Sequence, residues 1–208
     1  MTGWKALPTH ILAEAGVTCD PDGLVRIPYR LHDGSLYAER VAASSGRRWW
    51  RPGDGRPLIP FGIDRLETAA FRKYRDLAIV EGESDTLALR AALGHEGVDV
   101  LGVPGARTWK SAWATYTGGY HDVYVLGDGD EPGRDLNATA RRDVPNAIVV
   151  DLPAGRDVRD VVQADHGLDE LLTLLRQAKC GAELSRAFLN ADSIADFDAR
   201  VAQIKAAA

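Results

Sequence analysis

Cysteine is scarce in this chain, because Cys19 and Cys180 are the only two among 208 residues. Two isolated cysteines form neither a disulfide framework nor a Cys-x-x-Cys zinc site. The five histidines are scattered singly, and none has metal-ligand spacing from another. We therefore expect a protein without zinc.

Long apolar runs are also missing. No segment approaches the roughly 20 apolar residues that a membrane-spanning helix needs. The start, MTGWKALPTH, lacks the charged-then-apolar layout of a signal peptide. The composition, 45% hydrophobic and 26% charged, is ordinary for a soluble globular protein. These features predict a cytoplasmic protein with no membrane partner.

Charge is divided unevenly along the chain, although the formal net charge is only -5. Residues 1–75 contain 12 Lys and Arg against 8 Asp and Glu, whereas residues 76–208 contain 13 against 22. A split of this kind suggests a basic binding surface beside an acidic site.

The basic first part has the pattern of short strands separated by turns. Two β-rich runs, residues 24–30 and 36–42, flank an Asp-Gly pair, which is a strong hairpin signal. The segment GRRWWRPGDGRPL predicts a further strand that ends in a turn. Helical spacing over residues 64–76, with Asp64 as a cap-like residue, predicts a helix there.

The acidic part alternates between strands and helices. Four apolar runs, DLAIVEG, VDVLGV, DVYVLGD and NAIVVDL, are separated by helices predicted over residues 84–93, near 108–117 and over 134–142. This alternation is typical of a parallel sheet covered by helices, which is an α/β arrangement. Together with the β-rich first part, it makes the fold of the whole chain α+β. We divide the chain into a β-rich basic subdomain (1–75), an α/β domain (76–165) and a C-terminal helical segment that is a possible linker (166–208).

Carboxylates follow the strands of this predicted sheet. The group consists of Glu81, Asp85, Asp128, Asp130, Asp157 and Asp160. Parallel α/β sheets place their sites at the carboxyl ends of the strands. Asp128 and Asp130 share one face of an extended chain. Two unit charges about 4 Å apart repel by roughly 4 kcal/mol at an effective dielectric constant near 20. A counter-ion is therefore implied, and oxygen ligands without His or Cys suit Mg²⁺ or Mn²⁺ and phosphate chemistry.

Individually, three of these acids have ordinary structural explanations. Asp85 fits a helix N-terminus, where a negative charge is favourable. Asp130 fits an Asx turn at a helix entry, and Asp160 fits a solvated helix residue. The joint pattern across three strand ends is much harder to obtain by chance.

Several of these segments resemble the TOPRIM domain that DnaG-type primases share with topoisomerases and some nucleases. IVEGESD is similar to its first motif and VLGDGDEPGR to its second. GRDVRDVV is similar to the Gly-Lys-Asp-Pro-Asp segment of primases, with Arg156 in place of Lys and Val158-Arg159 in place of Pro. LGVPGARTW is similar to the segment between the two motifs. Upstream, VRIPYRLHDGSLYAERV and FGIDRL resemble the primase core, so the likeness covers residues 20–165.

The resemblance implies a Rossmann-like parallel sheet with helices on both faces, preceded by the small basic subdomain. It implies a phage-like or plasmid-like DNA primase core that makes short RNA primers from nucleoside triphosphates on single-stranded DNA. Glu81, Asp128 and Asp130 would be catalytic. All six acids would be metal ligands for two or more Mg²⁺ or Mn²⁺ ions. Glu81 would either hold a second ion or assist transfer of the 3′-hydroxyl proton.

Basic and aromatic residues form the predicted nucleic-acid and nucleotide contacts, namely Arg40, Arg47, Arg48, Trp49, Arg51, Arg107 and Lys110. Arginine neutralises phosphates, and an indole stacks on an unpaired base. Arg40 is the first choice because it matches the Arg that ends a primase strand. The two adjacent tryptophans, 49 and 50, alternate faces of a strand, so one of them is expected in the core. Arg107 and Lys110 equally fit solvated surface charges.

The chain lacks two modules that accompany primases. It has neither the zinc-binding module nor a Walker-type GxxxxGK[ST] helicase loop. We therefore expect a replicative helicase and a separate zinc-binding module as partners. Two alternative functions stay open: a TOPRIM-type metal-dependent nuclease, and a non-catalytic nucleic-acid-binding subunit of a replication complex.

Overall fold

The computed structural model describes residues 3–51, 53 and 55–207. Its first layer is an antiparallel sheet with strand order β1-β2-β3-β4. The strands are Thr18–Cys19, Val25–Arg30, Leu36–Ala42 and Arg48–Arg51. The β2–β3 pair confirms the predicted hairpin, and β4 confirms the strand that contains the two tryptophans. Helix α1, Thr9–Glu14, precedes this sheet.

The second layer is a parallel sheet with strand order β6-β5-β7-β8. Its strands are Asp76–Glu81 (β5), Val98–Val103 (β6), Val123–Leu126 (β7) and Ile148–Val149 (β8). All three neighbouring pairs are parallel. Helices α2 (Gly82–Leu93), α3 (Glu131–Asp143), α4 (Val158–Val162), α5 (Gly167–Leu189) and α6 (Ile194–Ala207) follow in chain order.

Helices cover both faces of the parallel sheet, as predicted. On one face, Leu77 and Ile79 of β5 share a buried cluster with Leu136 of α3. On the other face, Ala78 and Val80 share a cluster with residues of α2, α4 and α5. This alternation along β5 is the period-two pattern of a strand buried on both sides.

A third buried cluster joins the two sheets. Ile27 and Tyr29 of β2 pack with Leu87 and Ala88 of α2. An isolated bridge between Phe61 and Gly102 adds backbone hydrogen bonds at the same boundary. The antiparallel sheet therefore packs directly on α2, the helix that follows β5. The division of the chain at residues 75 and 165 stays a prediction.

Two predicted helices are wrong in type. Residues 64–75 contain only the short 3-10 turns Ile63–Arg65 and Arg72–Tyr74, and residue 76 already belongs to β5. Asp64 lies inside the first turn and not at its N-cap, which is Gly62. Here the backbone N–H of Glu67 donates to Asp99 on the sheet, a tertiary contact that overrides helical propensity. Residues 108–117 likewise form 3-10 helices, Ala106–Thr108 and Ser111–Thr117.

The C-terminal segment is helical, as predicted. Leu171 of α5 is buried in the cluster below the parallel sheet. Helix α6 buries none of its residues. Among the described residues, no helix combines the length and the apolar character needed to cross a bilayer.

Candidate active site

The acidic residues meet at the carboxyl edge of the parallel sheet. Glu81 is the last residue of β5, which pairs directly with β7, and Asp128 comes two residues after β7 ends. The N–H of Gly127 donates to Asn137 Oδ1 of α3 over 2.7 Å, so the chain turns at once from strand to helix. A side chain at Gly127 would strike the backbone of Gly133, which explains the glycines around the acids.

Asp130 combines the two roles that the sequence left open for it. It is the N-cap of α3, and its Oδ1 accepts from the N–H of Gly133 over 2.8 Å. Its charge also raises the pKa of Asp128. The cap therefore holds this carboxylate beside the acidic group.

A second loop brings in the third acidic segment. The N–H of Gly129 donates to Arg156 O over 2.9 Å, and the N–H of Gly155 donates to Gly129 O over 2.8 Å. These bonds tie the loop before α4 to the loop after β7. Asp157 is the N-cap of α4 and forms a reciprocal capping box with Asp160. The N–H of Arg159 donates to Asp85 Oδ1 over 2.9 Å, which joins the first turn of α2 to the group.

Burial and mutual repulsion shift the titration of the central acids. Burial raises the pKa of Asp128 to about 8, with further increases from Glu81, Asp85 and Asp157. Burial likewise raises the pKa of Asp85 to about 6, with Asp157 as the next contribution. Burial also raises the pKa of Glu81, although the N–H of Ala106 and the Arg48 guanidinium act in the opposite direction. The protein therefore holds these carboxylates in surroundings that favour a proton or a cation.

Two oxygens of the group are unsatisfied. Glu81 Oε2 and Asp128 Oδ1 are buried and have no hydrogen-bond partner in the described part of the chain. Buried polar atoms without partners are rare in proteins. Oxygen donors of this type match the ligands that Mg²⁺ and Mn²⁺ prefer. The residues present therefore fit a divalent cation.

The acids influence one another by charge, since Glu81, Asp85, Asp130 and Asp157 all raise the pKa of Asp128 after burial, the largest cause. Within the residues that the structure describes, the one trio of His, Cys, Asp or Glu side chains whose ligand atoms lie within 4.8 Å of one another is Asp76, His121 and Asp122. That trio lies at the amino edge of the sheet, where Lys179 Nζ approaches Asp122 Oδ2 to 2.7 Å. An ammonium already compensates this second cluster. Two of the predicted ligands, Asp157 and Asp160, form ion pairs. Asp160 is the more exposed of the two, with 47% of its side chain accessible to solvent.

The sequence analysis missed the role of Arg159 beside the acids. Its Nη2 lies 2.6 Å from Asp157 Oδ2 and 3.3 Å from Asp160 Oδ1, and its side chain is only 14% exposed. The signal was present in the sequence, because Arg159 belongs to the pair that replaces the Pro of the primase pattern.

Arg40 lies in a buried network between the two sheets. Its Nη1 donates to Glu83 Oε1 over 2.7 Å and to Pro104 O over 2.6 Å. Tyr29 donates to the same Glu83 oxygen over 2.6 Å. The guanidinium also lies 5.6 Å from the centre of the Trp50 ring. This geometry gives Arg40 a structural function, and its predicted contact with nucleic acid stays a prediction.

Four more of the predicted nucleic-acid residues lie on β4 or directly before it. Arg47, Arg48 and Arg51 are exposed, and Trp49 is half-buried with the Arg47 guanidinium 5.6 Å from its ring centre. Trp50 packs edge-on against Tyr29 with ring centres 4.7 Å apart. Trp50 is also half-buried, but it packs against the third buried cluster, in agreement with the expectation that one tryptophan of the pair faces the core.

Arg107 and Lys110 follow β6 at the same carboxyl edge. The Arg107 side chain is 74% exposed, and its Nη2 lies 3.8 Å from Asp135 Oδ2. Lys110 Nζ donates to Leu58 O over 3.3 Å and lies 5.6 Å from the centre of the Trp113 ring. Neither residue contacts the acids, so both assignments stay predictions.

Comparisons with known proteins agree with this architecture. No protein-family model matches the chain. The primase fragment of the bacteriophage T7 primase-helicase protein superposes with a TM-score of 0.63 at 19% identity, covering 81% of this chain and 68% of that one. The RNA polymerase domain of Mycobacterium tuberculosis primase DnaG superposes with a TM-score of 0.57 at 19% identity, covering 95% and 75%.

One curated relative is close in sequence. The gene 57 protein of Mycobacterium phage D29 is 38% identical over 130 residues, which cover 60% of this chain and 82% of the relative. The chain therefore belongs to the family of the phage D29 gene 57 protein and has the fold of primase catalytic cores.

Proposed function

We propose that this chain is the catalytic core of a DNA primase, which joins nucleoside triphosphates into short RNA primers on a single-stranded DNA template. The observation that carries the proposal is the pair of buried, unpartnered carboxylate oxygens, Glu81 Oε2 and Asp128 Oδ1. They lie at the carboxyl edge of a sheet whose fold is that of primase cores. A nucleotidyltransferase needs a divalent cation at such a place, because its substrate carries several negative charges.

Glu81 and Asp128 would hold Mg²⁺ or Mn²⁺, with Asp85, Asp130 and Asp157 completing the negative surroundings. A divalent ion there supplies charge neutralisation for the phosphates of the incoming nucleotide. The side chains contribute position, because Asp130 is fixed by its cap and Asp85 by the N–H of Arg159. Burial makes the positioning of Asp85 effective, since electrostatic interactions strengthen where water is excluded.

The basic first sheet would carry the nucleic acid. Strand β4 is an edge strand with exposed arginines. Arg48 is close enough for its charge to oppose the increase in the pKa of Glu81. We assign phosphate contacts to Arg47, Arg48 and Arg51, and base stacking to Trp49, which still exposes part of its ring. Arg107 and Lys110, which follow β6, would also contact phosphates.

We also propose partners and a location for the reaction. The T7 relative is a fragment of a primase-helicase protein, so a replicative helicase is the expected partner here. A separate zinc-binding module would help to select start sites, and the complex would act in the cytoplasm. An isolated core is therefore expected to synthesise primers slowly.

The test is a gel assay with single-stranded DNA, labelled nucleoside triphosphates and Mn²⁺. Wild-type protein should produce short new oligonucleotides, and Asp128→Asn should reduce their amount by at least about 100-fold because the ion loses a central ligand. Asp122→Asn, a matched acid at the opposite edge, should retain most of the activity.

The other outcomes of this assay contradict the proposal. Shortened template without new product would make the chain a TOPRIM-type nuclease. DNA binding without any product, even with helicase and zinc module added, would make it a non-catalytic subunit. Equal synthesis by Asp128→Asn would refute the assignment of the site.

A further inference from the structure

One arginine points into the acidic site rather than away from it. The Arg159 guanidinium contacts Asp157 and Asp160, and its Nη1 also lies 3.3 Å from Ser84 Oγ at the start of α2. Both Arg159 and Asp157 are largely buried, with side chains 14% and 19% exposed. Hydrogen bonds between a guanidinium and carboxylates are among the stronger ones in proteins. The contact is therefore a persistent part of the site.

No other basic side chain takes this position. Among the described residues, the six acids make ion pairs only with Arg159. Arg156, three residues earlier, turns instead to Glu170, with 2.8 Å between Nη1 and Oε1. The positive charge is permanent, because a guanidinium does not lose its proton in proteins.

The position of the charge divides the site into two halves. On one side are Glu81 and Asp128, whose buried oxygens lack partners. On the other side are Asp157 and Asp160, whose oxygens are used by the capping box and by Arg159. The first half needs a cation, and the second already has one.

We propose that the Arg159 guanidinium takes the place of a second cation, so that this site binds one divalent ion instead of the two or more that the sequence implies. The inference rests on the proposed function, because it requires the ion at Glu81 and Asp128. The departure from the primase pattern supports it, since Val158-Arg159 occupies the place of a single Pro and supplies the arginine. Arg159 is thus a positioning residue that sets the number of metal ions.

Bound Mn²⁺ is counted by electron paramagnetic resonance of the free ion at pH 8, at increasing Mn²⁺ concentration. The wild-type chain should bind one ion, and Arg159→Gln should bind two because Asp157 and Asp160 lose their counter-charge. Arg159→Lys should restore a count of one. Arg156→Gln removes a nearby arginine that contacts the Glu170 carboxylate and the backbone carbonyl of Asp160 but neither of these two carboxylates, so it should leave the count at one.

A double variant serves as the control for misfolding of Arg159→Gln. Asp157→Asn combined with Arg159→Gln removes both members of the pair and should bind one ion with a near wild-type melting temperature. One ion on a folded Arg159→Gln chain, or two on the wild type, would overturn the inference while leaving the metal site intact. No bound Mn²⁺ on any chain would overturn the inference together with the metal site of the proposed function.

Discussion

Two carboxylates at opposite edges of the same parallel sheet, Asp99 and Asp128, differ in their surroundings. Asp99, near the start of β6, accepts from Tyr120 over 2.6 Å and from the N–H of Glu67 over 2.6 Å, and it pairs with Arg75 at 2.8 Å. Asp128, after β7, has a buried oxygen without a partner and is surrounded by other acids. Asp99 is buried and Asp128 is half-buried, but their partners distinguish them most clearly. A satisfied buried acid holds the fold together, and an unsatisfied one among like charges marks a place for a cation.

The same contrast explains why the two edges respond differently to loss of charge. At the amino edge, removing a carboxylate leaves the groups that bind it without a hydrogen-bond or ion-pair partner. At the carboxyl edge, removing one relieves repulsion. Removing a charge at the acidic site is therefore expected to stabilise the fold and to reduce function. Such a trade-off is common where a site must be preorganised for charge.

The largest expected effect comes from Asp99→Asn. This change should lower the free energy of unfolding by about 3 kcal/mol, the lower end of the cost of breaking a buried ion pair, because Arg75 keeps some contact with water. Urea unfolding at pH 8 with EDTA measures it. Unchanged stability would show that the network around Asp99 does not have the structural role assigned to it.

The opposite sign is expected for Asp128→Asn. The folded-state pKa of Asp128 is raised to about 8 from an ordinary value of 3.8. The metal-free protein therefore loses stability as pH rises through this window, because folding then requires a charge to be held in the site. Since Asp128 is partly exposed and solvent screens it, we expect a gain of about 1 kcal/mol at pH 8.

Thermal melting with EDTA measures this gain. An increase of about 1 kcal/mol corresponds to a melting temperature about 2–4 °C higher for a chain of this size. The difference should shrink as pH falls and should nearly vanish only near pH 4, where the Asp128 carboxyl is protonated in the unfolded chain as well as in the folded one. A lower melting temperature for Asp128→Asn at pH 8 would contradict the account of repulsion.

The sequence predicted the parallel sheet and the meeting of its acids. Strands such as β5 are apolar on both faces, which is typical of a parallel sheet, and parallel topology places the carboxyl ends of the strands at one edge. The position of Glu81 and Asp128 at the same edge could therefore be predicted without knowing any side-chain contact. The cap formed by Asp130 was also within reach of local rules.

Other features depend on contacts between distant residues. Arg40 binds Glu83, 43 residues later, and the N–H of Arg159 binds Asp85, 74 residues earlier. Trp109 lies between the two 3-10 helices that replace a predicted helix, and its indole N–H donates to Asp143 at the end of α3, 34 residues away. Local periodicity contains no information on such pairs, so the bridge between the sheets and the inward arginine required the three-dimensional structure.

The most direct test of the central claim is the affinity for Mn²⁺ as a function of pH, measured by calorimetry between pH 6 and 9. The wild-type affinity should rise as pH increases through about 8, because Asp128 must release its proton to bind the ion. Asp128→Asn should abolish this binding, and Asp122→Asn should preserve it. Binding that survives Asp128→Asn but disappears in Asp122→Asn would place the metal at the opposite edge of the sheet and contradict the account.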